Sequence, residues 1–388
     1  MRLKSIRELP LRGKRLFLRL DFNVPLSEPN IEGIREVTDD TRIREALPTI
    51  QYAKEQGARI IIASHLGRPK GRKNGEYSLY PAALRLSELL QEDILLMDDC
   101  IGEGIELKTQ QLHDGEVMML ENLRFHAEEE QNDLAFAQSL AKLCDVYVTD
   151  AFGTAHREHA STHRLPSIVP DRGMGFLIEK EVKYFNQILL SPEAPFYLIL
   201  GGAKVSDKIK TIEALLKLVN GVVIGGAMAY AFMKAKGEKI EAEWKQPAPE
   251  DVEAAKEILK TAEKRQIPLL LPEDTNLGFD IGPKTIEKYK AFLSDAKTIF
   301  WNGPLGWFEK PEYSKGTFEV AKRLSEIKAV KVVGGGDTVS AVTHAGYAGK
   351  FDHLSTGGGA ALEYLENGSL PGIEILKAPY RASSPDLV

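Results

Sequence analysis

Arginines, a histidine and small polar residues stand directly behind short apolar runs in the first half of the chain. LFLRL leads into Asp21, Phe22 and Asn23; RIIIAS into His65, Leu66, Gly67 and Arg68; VMMLEN into Leu123, Arg124 and Phe125; and DVYVTD into AFGTAHREH, with His156 and Arg157. Arg42, in the TDDTRI segment that opens a helix, is a fifth candidate. Taken singly, Asp21 and Asn23 read as turn formers, His65 as a loop histidine and the arginines as solvated charges. Their joint placement after successive strands changes that reading, because ligands of doubly wound sheets sit outside the carboxyl ends of the strands. A guanidinium fork matches phosphate and carboxylate, while Asp and Asn can hold hydroxyls. The set therefore describes a site for a small hydroxylated polyanion. Arginine is frequent up to Arg172 and scarce beyond it, whereas lysine remains common.

The second half uses glycine instead. FYLILGGAKVSDKI joins a strand to a helix through a glycine pair and is expected to place Lys204 and Lys208, at i and i+4, on one helical face. VVIGGAMAYAF with Gly225 and Gly226, KVVGGGDTVSAV with Gly335, Gly336, Asp337 and Thr338, and LSTGGGAALEYL with Gly357, Gly358 and Gly359 repeat the design. Backbone N–H groups at such helix starts favour negative charge, and several of them suggest a polyphosphate. Asp337 reads as a Mg²⁺ ligand beside phosphate and equally as a helix N-cap. There is no GxxxxGK[ST] and no GxGxxG, so neither a P-loop nor a dinucleotide fingerprint is present.

The elements that must position these residues are legible as alternating apolar runs and amphipathic stretches, the punctuation of βαβ units. Expected strands are LFLRL, RIIIAS, DILLMD, VMMLEN and DVYVTD, then FYLIL, GVVIGG, PLLLPED, TIFWNG and KVVGGG. Between the sets, Phe176, Ile178, Val182, Phe185, Ile188 and Leu189 recur at helical spacing until Pro192. The expected fold is α/β, with two doubly wound, Rossmann-like parallel-sheet domains joined by that helix. The first domain covers 1–173, the connector 174–191 and the second domain 192–372, with a tail over 373–388. A chain of 388 residues, 43% apolar and 27% charged, suits two such cores. A net charge of −6 argues against a nucleic-acid or anionic-membrane surface. Cys100 and Cys144 form no CxxC, and no apolar run approaches a membrane span, so a reducing, cytoplasmic setting is expected.

Together, DFNVPL, TDDTRI, SHLGRP, LENLRF, DAFGTAHREHAS, LGGAKVSDKI, GFDIGPKT, WNGPLGWFE, GGGDTVSAV and STGGGAALEYL resemble phosphoglycerate kinases in order and combination. The resemblance implies reversible phosphoryl transfer from 1,3-bisphosphoglycerate to Mg-ADP, giving 3-phosphoglycerate and Mg-ATP, in a monomer. It implies phosphoglycerate binding by Asp21, Phe22, Asn23, Arg42, His65, Leu66, Gly67, Arg68, Arg124 and Arg157. Nucleotide contacts would come from Lys204, Lys208, Gly225, Gly226, Asn302, Glu309 (at the ribose), Gly335, Gly336, Asp337 and Thr338, with Mg²⁺ at Asp337. Arg42, Lys204, Lys208 and Gly358 would act on the phosphoryl in flight, and domain closure would bring the ligands together. Three features depart from the family pattern. The connection from PLLLPEDT to GFDIGP is short and lies near the base, Trp307 replaces a smaller aliphatic residue, and SEPNIEGIREV lengthens the loop before Arg42. The alternatives are a nucleotide-binding member with altered catalysis and a kinase for another acyl phosphate. The tail after Gly372 is expected to return to the first domain.

Overall fold

The computed structural model describes residues 2–31, 33–240, 246–377 and 379. It divides into two compact units, Met1–Lys180 with Ser369–Val388, and Glu181–Gly368. The division falls inside one helix, Phe176–Leu190, so the expected connector contributes to both units instead of standing apart from them. Ser369–Gly372, expected with the second domain, belong to the first unit, where the Gly372 amide donates to the Ala155 carbonyl at 2.8 Å. The helix Pro371–Lys377 follows there, and residues 378 and 380–388 of the tail lie outside the described residues.

The first unit is built on six strands: β1 (Arg15–Arg19), β2 (Arg59–Ala63), β3 (Leu95–Leu96), β4 (Val117–Met119), β5 (Val146–Thr149) and β6 (Asp171–Met174). They are parallel, in the order β3-β4-β2-β1-β5-β6. Central strands of such a sheet are covered on both faces, which is why runs such as RIIIA are apolar without alternation. Arg19, Ala63 and Thr149 stand in one row, so the loops leaving β1, β2 and β5 emerge side by side. The chain moves outward from β1 in one direction and later from β5 in the other, which makes the carboxyl edge between them a topological switch point.

The second unit repeats the plan with β7 (Phe196–Leu200), β8 (Gly221–Ile224), β9 (Leu269–Leu270), β12 (Thr298–Asn302), β13 (Val330–Gly334) and β14 (His353–Ser355). The order is β14-β13-β12-β7-β8-β9, again parallel, with the switch point between β7 and β12. A small antiparallel hairpin, β10 (Thr275–Asn276) with β11 (Asp280–Ile281), fills the shortened connection. Leu200, Asn302, Gly334 and Ser355 share one row, which sets the glycine loops next to each other.

β6 and β14 were not among the expected strands. Both are short edge strands: DRGM begins with two charged residues, and HLS has three residues in all. Neither offers an apolar run long enough to read.

Candidate active site in two half-sites

In the first unit the residues behind β1, β2, β4 and β5 meet at the carboxyl edge. Asn23 Oδ1 accepts from the Gly67 amide at 2.8 Å, tying the β1 loop to the β2 loop. Asp21 accepts from Arg42 at 2.9 Å, bringing in the start of the helix Thr41–Glu55. Arg124 is buried. Its Nη1 donates to the Gly67 carbonyl at 2.8 Å, its Nε lies 3.3 Å from Glu130 without hydrogen-bond geometry, and Nη2 has no partner among the described residues. Burial first, then neighbouring arginines, pull its pKa down to about 10, so it stays charged. A buried cation with donor positions to spare fits an incoming anion. Arg68 is exposed, and Arg157 Nε donates to His156 at 3.2 Å.

His65 is buried against these charges. Burial foremost, then Arg19, Arg124, Arg157 and Arg42, hold its pKa well below the ordinary imidazole value. Arg19 Nη2 lies 3.3 Å from His65 Nδ1, which assigns the proton to Nε2 because a guanidinium can only donate. His159 is likewise pushed down, to about 3, by burial and by Arg124, Arg19 and Arg157. The half-site therefore holds neutral imidazoles among permanent cations.

Sequence reasoning missed Arg19 itself. It sits inside β1, is fully buried, and donates through Nε to Ser161 Oγ at 2.9 Å and through Nη1 to the Leu20 carbonyl. Ser161 in turn donates to the buried Glu129 at 2.6 Å from its hydroxyl and 2.9 Å from its amide. The clue was a lone arginine inside LFLRL, a charge that a doubly covered strand cannot carry without buried partners. Phe22 and Leu66 hold their side chains in the core. The Phe22 amide donates to Ser64 Oγ at 2.8 Å and the Leu66 carbonyl accepts from Asn122 at 2.7 Å, so these backbone groups already have partners.

The second half-site is a cleft of ≈ 360 Å³ at the β7–β12 switch point, lined by Gly202, Lys204, Lys208, Asn302, Gly335, Gly336, Asp337, Thr338 and Gly358. The helices Gly336–His344 and Gly359–Asn367 start at its wall, and neither has a side-chain cap. Their first-turn amides are thus free of side-chain caps and suited to phosphate oxygens. Asn302 Nδ2 donates to the Gly334 carbonyl at 2.9 Å and Thr338 Oγ1 accepts from the Gly303 amide at 2.7 Å, locking the strand ends together. Gly303 has φ +97°, and a Cβ there would lie 2.1 Å from the Gly201 carbonyl oxygen, so no other residue fits.

Lys208 Nζ donates to the Gly201 carbonyl at 3.1 Å, and burial lowers its pKa to about 8 against the opposing pull of Asp337 and Asp207. Lys204 is exposed, 3.8 Å from Asp207. The two lysines do not share a helical face as expected. Asp251 accepts from the Val205 and Ser206 amides at 2.9 and 2.8 Å, Ser206–Lys208 forms a 3₁₀ turn, and the α-helix begins only at Ile209, so Lys204 lies in the loop before it. Gly225 and Gly226 also differ from a phosphate cradle. Their amides donate to the Leu200 and Leu305 carbonyls, both at 2.8 Å, which leaves them as sites of close backbone packing. Glu309 is exposed on the turn after Trp307, and Asp337 is exposed in the first turn of its helix.

The chain matches the sequence model of the family described as phosphoglycerate kinase over residues 6–368. The chain belongs to the phosphoglycerate kinase family. A phosphoglycerate kinase of Anaeromyxobacter sp. (strain Fw109-5) is 50% identical over 403 aligned residues, covering 97% of this chain and all of the relative, and one from Borrelia duttonii is 46% identical over 400, covering 97% and 100%. Both alignments are longer than this chain, so these phosphoglycerate kinases carry residues without a counterpart here. The structure of phosphoglycerate kinase from Coxiella burnetii superposes with a TM-score of 0.86 at 36% identity, covering 97% of this chain and 99% of that one. The Pyrococcus horikoshii OT3 enzyme gives 0.82 at 32%, with 96% and 98% covered.

Outside these half-sites, donor atoms of Asp99, Cys100 and His126 lie within 4.8 Å of one another, a grouping that the cysteine spacing did not suggest. His126 Nε2 and Asp99 Oδ1 are bonded at 2.6 Å, which accounts for the proximity. No helix among the described residues is long and apolar enough to cross a membrane.

Proposed function

We propose that the chain transfers a phosphoryl group reversibly between the acyl phosphate of 1,3-bisphosphoglycerate and ADP, yielding 3-phosphoglycerate and ATP. The observation that carries this reading is the pairing of two unlike anion sites at equivalent places in two similar units. One is made of arginines around neutral imidazoles, the other of uncapped helix starts beside a low-pKa lysine.

In the ATP-consuming direction a carboxylate oxygen of 3-phosphoglycerate attacks the γ-phosphorus, the bond to the bridging oxygen breaks, and ADP leaves with that electron pair. A carboxylate is already ionised at neutral pH, so no general base is required. This agrees with imidazoles whose pKa values are too low for that task. Catalysis then rests on alignment and on charge around the equatorial oxygens. Arg124, Arg68 and Arg157 hold the phosphoglycerate, with Asn23 and Asp21 at its polar groups. Arg42, Lys208, Lys204 and the Gly358 amide neutralise the group in transit.

The exposed Asp337 carboxylate beside an uncapped helix start suits a hard divalent cation that takes its other ligands from phosphate and water. Bound Mg²⁺ would supply positive charge at the nucleotide phosphates. Because the half-sites belong to separate units, transfer requires the units to close so that the reacting atoms meet away from water. A coupled assay with 3-phosphoglycerate and Mg-ATP tests the proposal. Turnover is expected, and folded protein that binds ADP without turning over would refute it.

A further inference from the structure

We propose that Asp251, which does not line the cleft, is a positioning residue for phosphoryl transfer: its carboxylate pins the loop that carries Lys204 and so holds that ammonium where it meets the group in transit. The inference rests on the transfer reading given above.

Extending the helix Ile209–Leu215 back over this loop would run bonds from the Val205 and Ser206 amides to the Gly201 and Gly202 carbonyls, four residues earlier. All four groups are engaged elsewhere. Both amides donate to one oxygen of Asp251, Oδ1, at 2.9 and 2.8 Å. The Gly201 carbonyl accepts from Lys208 Nζ at 3.1 Å, and the Gly202 carbonyl accepts from the Met228 amide at 3.0 Å. The chain therefore enters its helix late, through a turn that the Lys208 amide closes on the Val205 carbonyl at 2.9 Å.

Asp251 is a rigid and charged anchor. It is 7% exposed, in the first turn of the helix Pro249–Lys264, which packs against Ile209–Leu215 and Ala229–Ala235. Burial opposes its charge, but its bonds from Ser206 and Val205 and the nearby Lys204 ammonium outweigh burial and hold its pKa below the ordinary carboxylate value. An ionised acceptor makes the stronger amide bonds. Val205 is fully buried, so the pinned segment cannot swing outward without exposing it.

Ahead of the pinned amides, those of Ala203 and Lys204 have no hydrogen-bond partner among the described residues, and both residues line the cleft. The Lys204 side chain is 67% exposed and lies 3.8 Å from Asp207, a surface contact that an incoming phosphoryl group can displace. Lys208, by contrast, is tied to the Gly201 carbonyl. Without the anchor, a helix begun earlier would set both lysines on one face, as their spacing alone suggests. Lys204 would then be misplaced relative to the reacting atoms, while the groups that bind either substrate would stay where they are. The loss should fall on kcat, since a displacement of about 1 Å in a group acting on the transition state costs on the order of a hundredfold.

The test is a double-mutant cycle of Asp251→Ala with Lys204→Ala, with Asp251→Asn and Glu250→Gln beside it, assayed with 3-phosphoglycerate and Mg-ATP. Asp251→Ala should lower kcat roughly ten- to one-hundredfold and leave both KM values within about threefold. Asp251→Asn keeps an oxygen for the two amides and should restore kcat to within about threefold. Glu250→Gln removes the neighbouring exposed first-turn charge of the same helix and should change nothing, which separates the anchor from the helix dipole. In the Lys204→Ala background, Asp251→Ala should lower kcat by less than about twofold, because the lysine through which it acts is gone. Binding of 3-phosphoglycerate by calorimetry shows that each variant is folded. Amide hydrogen exchange on wild type needs no variant: Val205 and Ser206 should be protected, and Ala203 and Lys204 should exchange freely. A kcat within about threefold of wild type in Asp251→Ala, an equal fractional loss in both backgrounds, or unprotected Val205 and Ser206 amides would overturn the role of Asp251 while leaving the transfer reading standing. Wild type that binds ADP without turnover would overturn both.

Discussion

Lys208 offers the sharpest handle on the nucleotide half-site, because its charge is titratable near the working pH. Burial brings its pKa to about 8 in the free enzyme. The sign follows directly: below that value the ammonium is present and attracts phosphate, above it the amine is neutral and the attraction is lost. One pH unit above the midpoint only roughly a tenth of the molecules keep the charge. A unit charge about 4 Å from a phosphate oxygen at an effective dielectric near 20 is worth about 4 kcal/mol, and desolvation removes part of it. Lys208→Met should therefore lower kcat/KM for ATP by roughly a hundred- to a thousandfold at pH 7. In wild type, kcat/KM should fall about tenfold per pH unit above the midpoint, and Lys208→Arg should abolish that fall because arginine does not titrate there. Initial rates in the 3-phosphoglycerate direction, at saturating Mg²⁺ from pH 6 to 10, supply the measurement. A loss below about threefold in Lys208→Met, or an identical alkaline limb in Lys208→Arg, would refute the reasoning.

Other outcomes follow from the same geometry. Arg42→Ala should lower kcat far more than it weakens ADP binding if, as proposed, its charge acts on the group in transit; steady-state kinetics beside calorimetry separates the two. Arg68→Ala should raise KM for 3-phosphoglycerate, and an unchanged KM removes this exposed arginine from the site. Gly303→Ala should destabilise the protein by about 2–5 kcal/mol, from a left-handed backbone and a collision with the Gly201 carbonyl, as read by denaturant unfolding.

The central strands were legible because each is covered on both faces and so reads as an unbroken apolar run flanked by glycine or polar residues. The edge strands β6 and β14 lacked that signal. The charged positions behind β1, β2, β4 and β5 could be read for the same reason that they come together, since parallel strands deliver their carboxyl ends to one edge. What escaped was set by partners distant in sequence. Arg19 depends on Ser161 and His65, and the start of the helix after Lys204 depends on Asp251. The amides of Gly225 and Gly226 are engaged by Leu200 and Leu305, which no local pattern of glycines can announce.

The central claim is that phosphate passes from a nucleotide in one unit to a carboxylate held by the other. The most direct measurement incubates the enzyme with γ-labelled ATP, Mg²⁺ and 3-phosphoglycerate in the presence of hydroxylamine, which captures an acyl phosphate as a hydroxamate. Hydroxamate should form in step with ADP, only when 3-phosphoglycerate is present, and with no label left on the protein. Release of ADP without hydroxamate, or label retained on the chain, would contradict the account.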